Sequence, residues 1–344
     1  MKTLAFLMHK GFEGRFRVKE YIPAFEARGV AVSLLRVPKR PLERVRLYRS
    51  LSRYDIVIVQ RKLLGFFDLS LVRRFSQKFV FDYDDAIMFR SSRHKTPRSP
   101  GRERKFRRMV SAADGVIAGN SYLAEQAARW TSREKIHIIP TVVDTDEYDV
   151  KDHQASKKDK GEGDFIVGWI GTGGNLPYLR SIAPAVARVA EKHGGVSLKI
   201  VCDEFFEMEG LPVIKKIWRP EDVSRDLMSF DVGVMPIFDD HWTRGKCGLK
   251  VVQYLASGVP AIVSPVGVNR DLVAPGETGL WASDTDEWER AIETLVLDKR
   301  RGGDRAREMG LSGRRCVEER FSLKSQAPRY LAILSQIADA PRKA

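Results

Sequence analysis

Residues 246–268, KCGLKVVQYLASGVPAIVSPVGV, set two lysines around a glycine that opens an apolar helix, then a Gly-Val-Pro turn and a buried strand. A helix starting at Gly248 and Leu249 offers backbone N–H groups and the positive end of the helix dipole, which suit a diphosphate. Lys246 and Lys250 add charge to the same place. A second glycine turn, Gly171-Thr172-Gly173-Gly174, follows a strand and lets the backbone approach a phosphate closely. Trp218 and Arg219 end another strand, where the indole frames a nucleobase or packs in the core. Residues 81–85, Phe-Asp-Tyr-Asp-Asp, offer a different chemistry: Asp-x-Asp after a strand holds a divalent cation, because hard cations take carboxylate oxygens. One of these aspartates could equally cap the next helix. The six histidines, at 9, 94, 137, 153, 193 and 241, show no metal-binding spacing. His9 follows the first strand and His241 precedes the 246–268 stretch, so both could face a cleft, although an incidental role suits each better than a catalytic one. The glycines at 11 and 14 do not make G-x-G-x-x-G, which argues against a nicotinamide dinucleotide.

These groups must be positioned by the elements around them. Short apolar runs at 4–8, 30–35, 55–59, 78–81, 115–118 and 136–139, separated by helical segments, predict a parallel sheet covered on both faces. Residues 151–164 hold one apolar residue, Ala155, among polar ones and read as a linker. The pattern then restarts, with strands at 165–170, 197–201, 213–218, 232–235 and 261–264 and helices near 179–192, 224–229, 249–257 and 287–297. Ser322 as N-cap and the apolar face of Tyr330, Leu331, Leu334 and Ile337 predict a last helix, bent or restarted at Pro328. The expected fold class is α/β: two doubly wound parallel-sheet domains in tandem, 1–150 and 165–321, followed by a helix over 322–344.

Composition narrows the function. The 344 residues are 43% hydrophobic, and no apolar run approaches the roughly 20 residues that span a bilayer. Residues 4–8 are too short for a signal-peptide core, so the expected location is cytoplasmic. Cys202, Cys247 and Cys316 have no paired spacing, which excludes a disulfide framework or a cysteine-based zinc site. The net charge of +14 is uneven: residues 1–150 carry 30 Lys and Arg against 17 Asp and Glu, whereas 151–344 carry 29 against 28. Residues 90–108 hold nine Lys and Arg and one acid, Glu103, and with Pro97, Pro100 and Gly101 they read as a loop leading into a helix. Such a segment attracts nucleic acid, acidic lipid or a phosphorylated substrate, or is simply a solvated surface. Neither interleaved aromatics nor a reader motif supports nucleic acid.

The order of Gly248-Leu249, an apolar helix, Ala-Ser-Gly-Val-Pro (256–260), a strand and Ala-Pro-Gly-Glu-Thr-Gly-Leu (274–280) resembles family 4 glycosyltransferases of the GT-B fold. Gly14-Arg15-Phe16-Arg17, residues 138–144 (IIPTVVD) and 168–171 (GWIG) fit in the same order. The resemblance implies two facing Rossmann-like domains, with the last helix crossing back to the first. It implies a nucleotide-sugar held mainly by the second domain, an acceptor held by the first, retention of anomeric configuration and no essential metal. Donor binding then falls to Gly171, Thr172, Gly173, Trp218, Arg219, Arg244, Gly248, Leu249 and Gln253. Acceptor binding falls to His9, Gly14, Arg15 and Arg17. Asp84 or Asp85 serves as an acceptor-binding group or base, and Lys246 and Lys250 meet the leaving diphosphate.

Two departures stand out. The family carries glutamates where this chain has Gly245 and Gln253. Gln253 can still accept a hydrogen bond, without charge assistance, but Gly245 has no side chain to offer. Residues 171–179 (GTGGNLPYL) also lack the family's basic residues, leaving phosphate charge to Lys246, Lys250 or Arg244. The expected activity is a hexosyl- or N-acetylhexosaminyltransferase of polysaccharide biosynthesis. It would need no cofactor, use a UDP- or GDP-sugar as co-substrate, and act on a phosphate-bearing or lipid-linked acceptor, with residues 90–108 touching the acidic inner face of a membrane. The alternatives are a degenerate GT-B protein that binds a nucleotide or partner without transfer, and a metal-dependent, GT-A-like transferase using Asp82 and Asp84.

Overall fold

A computed structural model describes residues 1–8, 14–151 and 165–341. The chain divides into two compact units. The first comprises Met1–Val142, Asp240–Cys247 and Leu323–Ala344; the second comprises Val143–Asp239 and Gly248–Ser322.

The first unit is built on six parallel strands, β1 (Thr3–Met8), β2 (Ala31–Arg36), β3 (Ile56–Gln60), β4 (Phe79–Tyr83), β5 (Gly115–Ala118) and β6 (Ile136–Ile138). Their order is β2-β1-β3-β4-β5-β6. Because side chains alternate across a strand, the apolar runs feed two cores. Leu4, Phe6, Ile56, Ile58 and Val80 face one side, and Ala5, Leu7, Val57, Val59 and Phe81 the other. The helices are α1 (Tyr21–Glu26), α2 (Pro41–Arg49), α3 (Phe66–Phe75), α4 (Pro100–Ala112) and α5 (Ser121–Ala128). Two of these, α2 and α4, are rich in arginine, which hides the apolar period in the sequence. Prolines open α2 and α4, where the missing N–H costs nothing.

The second unit has β7 (Phe165–Ile170), β8 (Val196–Cys202), β9 (Val213–Ile217), β10 (Val232–Met235), β11 (Ala261–Val263) and β12 (Gly279–Trp281), ordered β12-β11-β10-β7-β8-β9 and parallel throughout. Read from β9, this is the 3-2-1-4-5-6 order of a dinucleotide-binding sheet. Its helices are α6 (Leu176–His193), α7 (Val223–Met228), α8 (Leu249–Ala256), α9 (Asn269–Leu272), α10 (Thr285–Arg300) and α11 (Arg305–Arg320). Strand β12 and helix α11 are additions to the sequence reading.

The last helix, α12 (Leu323–Asp339), belongs to the first unit, where Tyr330, Leu331, Ile333, Leu334 and Ile337 pack with Phe6, Val18, Tyr21 and Phe25. Pro328 lies inside this continuous helix and does not restart it. The second unit begins at Val143 because residues 143–151 pack there. Val143 bridges Ser322, Arg314 donates to the carbonyls of Thr145 and Tyr148, and the Lys151 ammonium is buried against Asp231 at 3.0 Å. Lys151, read as the start of a polar linker, is therefore an anchor; residues 152–164 lie outside the described residues.

Open α/β sheets take ligands beyond the carboxyl ends of their strands, at the point where strand order reverses. These points lie between β1 and β3 and between β7 and β10. At the second, Tyr254 of α8 links the two strands: its hydroxyl accepts from Ile170 N–H and donates to Val234 C=O.

Candidate functional site

In the second unit the residues at the β7 end and the α8 start form one layer. Gly248 precedes α8 with a left-handed φ of 68°, which favours glycine, and a Cβ there would press on the Leu272 side chain, 2.3 Å from Cδ1. Lys250, on the first turn, holds its ammonium 4.3 Å from the Trp169 ring centroid. Gly171 completes the layer, since a Cβ on it would fall 2.4 Å from the indole and 2.7 Å from Lys250 Nζ. A cation, a close backbone and the positive end of a helix thus meet at the carboxyl end of β7, an arrangement with the chemistry to neutralise a diphosphate.

The remaining donor candidates differ in placement. The Gly173 N–H donates to Asp203 at 2.7 Å and a Cβ there would meet the Glu204 carboxylate, so this part of the turn faces negative charge. Asn175 holds the Thr172 hydroxyl at 3.1 Å. Gln253 is buried and donates from its NH₂ to the Tyr148 hydroxyl at 3.0 Å. Trp218, 44% exposed, and Arg219 follow the edge strand β9. Leu249 opens α8.

In the first unit Asp82 lies within β4 with its side chain fully buried. Arg17 pairs with it at 2.8 Å and also donates to the carbonyls of Ile139 and Pro140, while the Tyr330 hydroxyl donates to the same carboxylate at 3.1 Å. Burial pushes the Asp82 carboxyl up against the pull of Arg17. This closed network corrects two expectations. Arg17, expected at an acceptor, is turned into the core from the single π-helical turn Arg15–Lys19. Asp82, expected as a metal ligand in the GT-A-like alternative, is already engaged on both oxygens. Among the described residues no group of three or more His, Cys, Asp or Glu could hold a metal ion.

Asp84 and Asp85 form a separate cluster just beyond β4. Arg61, which the sequence reading missed, enters it from the end of β3 in a left-handed conformation, φ 55°, and its N–H donates to Asp82 O at 2.7 Å. Its guanidinium pairs with Asp85 and approaches Asp84 at 3.9 Å. Burial and Asp84 push the Asp85 carboxyl up to about 6, against Arg61 and Lys246. Burial lowers the Lys246 ammonium, and Asp85 opposes that shift. Asp85 thus feels one carboxylate, Asp84, and two cations, Arg61 and Lys246.

Lys246 reaches this cluster because residues 240–247 belong to the first unit. Asn120 Nδ2 donates to Lys246 O at 3.0 Å and to Arg244 O at 3.4 Å, and the Cys247 thiol donates to Asp84 O. His241 stacks on Phe89 with centroids 4.8 Å apart, and its Nδ1 lies 3.0 Å from the Tyr122 hydroxyl. A Cβ on Gly245 would stand 2.6 Å from Ala86 Cβ and 2.8 Å from Ala86 N, so this position is closed to any side chain. Lys246 and Lys250, expected on one phosphate, therefore belong to different units.

Of the other acceptor candidates, Gly14 is left-handed with φ 55° and Arg15 pairs with Glu20 at 3.1 Å. His9 lies outside the described residues. The Arg244 side chain is exposed. Besides Arg61, the sequence reading missed Trp169, Asn120 and Tyr148. The signal for Arg61 was its place immediately after a buried strand; that for Trp169 was its place between two glycines at the end of β7.

A family model described as "Glycosyltransferase Family 4" matches residues 12–147, and one described as "Glycosyl transferases group 1" matches residues 165–298. The D-inositol 3-phosphate glycosyltransferase of Nocardia farcinica is 23% identical over 239 residues, covering 62% of this chain and 51% of that protein, so the chain spans about half the length of this curated relative. The fold is similar to that of sucrose-phosphate synthase from Thermosynechococcus elongatus, with a TM-score of 0.76 and 17% identity over 98% of this chain and 99% of the other. It is also similar to Anabaena HepE in complex with UDP and glucose, with a TM-score of 0.70 and 16% identity over 97% and 99%.

Proposed function

The chain belongs to the group 1 and family 4 glycosyltransferases of the GT-B fold, and on that premise we propose that it moves a sugar from a nucleotide-sugar to a phosphate-bearing or lipid-linked acceptor with retention of configuration. The observation that carries this reading is the layer of Gly171, Trp169 and Lys250 at the start of α8. Lys250 and the first-turn amides of α8 neutralise the departing diphosphate from positions fixed beforehand. Charge from these groups serves in place of a metal, so turnover insensitive to EDTA is expected. Gln253 accepts from the ribose through its amide oxygen, and Trp218 and Arg219 lie toward the base.

The acceptor falls to the first unit, whose excess of positive charge suits a phosphate. The Nocardia relative and the Thermosynechococcus structure both carry a phosphate in the names of what they use or make, which supports a phosphate-bearing acceptor here. The complex of Anabaena HepE with UDP supports a uridine donor. Arg61 and Lys246 hold the acceptor's negative charge, while Asp84 or Asp85 orients its hydroxyl. Deprotonation by the leaving diphosphate on the same face of the sugar accounts for retention.

A thermal-shift panel of UDP-, GDP-, ADP- and dTDP-sugars tests the donor side. A true donor at a hundred times its Kd should stabilise the protein by about 2.7 kcal/mol. UDP-sugars should raise the Tm of the wild type and leave Lys250→Ala unmoved; a flat panel overturns the reading. The closed Gly245 position favours a second reading, binding without transfer. Release of free sugar from UDP-sugar above background would eliminate it.

A further inference from the structure

The first turns of α2 and α3 carry Leu42, Phe66 and Phe67, which are 78%, 71% and 58% exposed. None of the three serves the core, because α3 buries Leu69 and Val72 on its inner face instead. Helices α2 and α3 are tied together by Arg44 and Asp68 at 3.0 Å. Helix α4 lies against α3, and the Arg108 guanidinium stands 5.5 Å from the Phe66 ring centroid. Arg104 and Lys105 on α4 and Lys62 just before α3 are exposed as well. Helices that follow strands in a parallel sheet start at the strands' carboxyl ends, so Leu42, Phe66 and Phe67 lie at the same end of this unit as Asp84 and Asp85.

We propose that this face docks on an anionic lipid bilayer, Phe66, Phe67 and Leu42 entering the headgroup region while the basic residues of α4 meet lipid phosphates. Charge complementarity selects the occupant: residues 90–108 set nine Lys and Arg against a single acid, and their helix α4 packs on α3, which carries two adjacent exposed phenylalanines, one of them under Arg108. Apolar and aromatic side chains at the interface, reinforced by polybasic attraction, constitute the two signals that stable peripheral binding needs. The inference goes beyond the transfer reading, because it depends on this surface alone.

Vesicle flotation at physiological salt, with neither donor nor acceptor present, tests it. Wild-type protein should float with phosphatidylglycerol–phosphatidylcholine vesicles and stay behind with phosphatidylcholine alone. Phe66→Ser with Phe67→Ser, and separately Arg104→Glu with Lys105→Glu, should each lower the vesicle-bound fraction about tenfold. Both variants change exposed residues, so their circular dichroism, Tm and UDP-sugar shift should match the wild type. Failure of the wild type to float with anionic vesicles overturns the proposal, as does a phenylalanine variant that floats as well as the wild type. Flotation without any nucleotide-sugar shift would instead overturn the transfer reading and leave this one standing.

Discussion

Burial and the adjacent Asp84 hold the Asp85 carboxyl up to about 6, while Arg61 and Lys246 pull the other way. Below that pH the carboxyl is protonated and cannot orient an acceptor hydroxyl as an anion. We therefore expect kcat/KM to fall as pH drops through about 6, and Asp85→Asn to lose that limb along with most activity, as a pH–rate profile would show. Stability has the opposite sign. The folded state holds this proton more tightly than the unfolded chain, so the Asp85 contribution to stability declines as pH rises from about 4 to 6. Gly245 supports a second prediction. Restoring the family residue with Gly245→Glu should raise no activity and should destabilise by about 1–3 kcal/mol in denaturant titrations, because the side chain would overpack Ala86. The two departures from the family pattern are visible in the sequence. The closure of position 245 is not, since Ala86 is remote in the chain. Nor does the Arg61 residue type announce its left-handed backbone.

Helix α8 was legible because an apolar helical period follows a glycine and ends at Ser257-Gly258. Gly248→Ala should cost about 1–2 kcal/mol for the left-handed backbone, with a further penalty from the clash with Leu272, and should weaken donor binding in the same titration. Tyr254→Phe should cost about 1–3 kcal/mol by stranding the N–H of Ile170 and the C=O of Val234 where strand order reverses. Helix α11 was missed for an instructive reason. Its two glycines, Gly310 and Gly313, look like breakers in the sequence, yet they are contact points: a Cβ on Gly310 would meet Gly258 O, and one on Gly313 would meet Leu255 of α8. Close packing against α8 and the turn that follows it, rather than local propensity, explains them. Helix α2 escaped for the related reason that Arg44, Arg46 and Arg49 break up its apolar positions.

Both sheets and the fold class were legible from the alternation of short apolar runs and helices, and the return of the last helix to the first unit was expected from the family resemblance, but the place of 240–247 in the first unit was not legible. Composition marks 151–164 as a boundary, whereas contacts distant in sequence, such as Asn120 with Lys246 O and Tyr330 with Asp82, assign 240–247 and 323–344 to the first unit. We expect residues 143–322 alone to unfold cooperatively on heating and to keep the UDP-sugar shift. Residues 1–142 alone lack Tyr330, Leu331, Leu334 and Ile337 and should show no calorimetric transition. The same interleaving sets a schedule for synthesis. On a ribosome the leading domain of a chain normally folds first. Here the segment before residue 143 has to wait, partly collapsed and with an uncovered apolar flank, until residues 323–339 emerge, after residues 143–322 have all of their parts. Nascent protein should therefore gain protease resistance in the middle before the front. Translation stalled near residue 322 should leave the front dependent on chaperones, although nothing in the finished molecule would betray the delay.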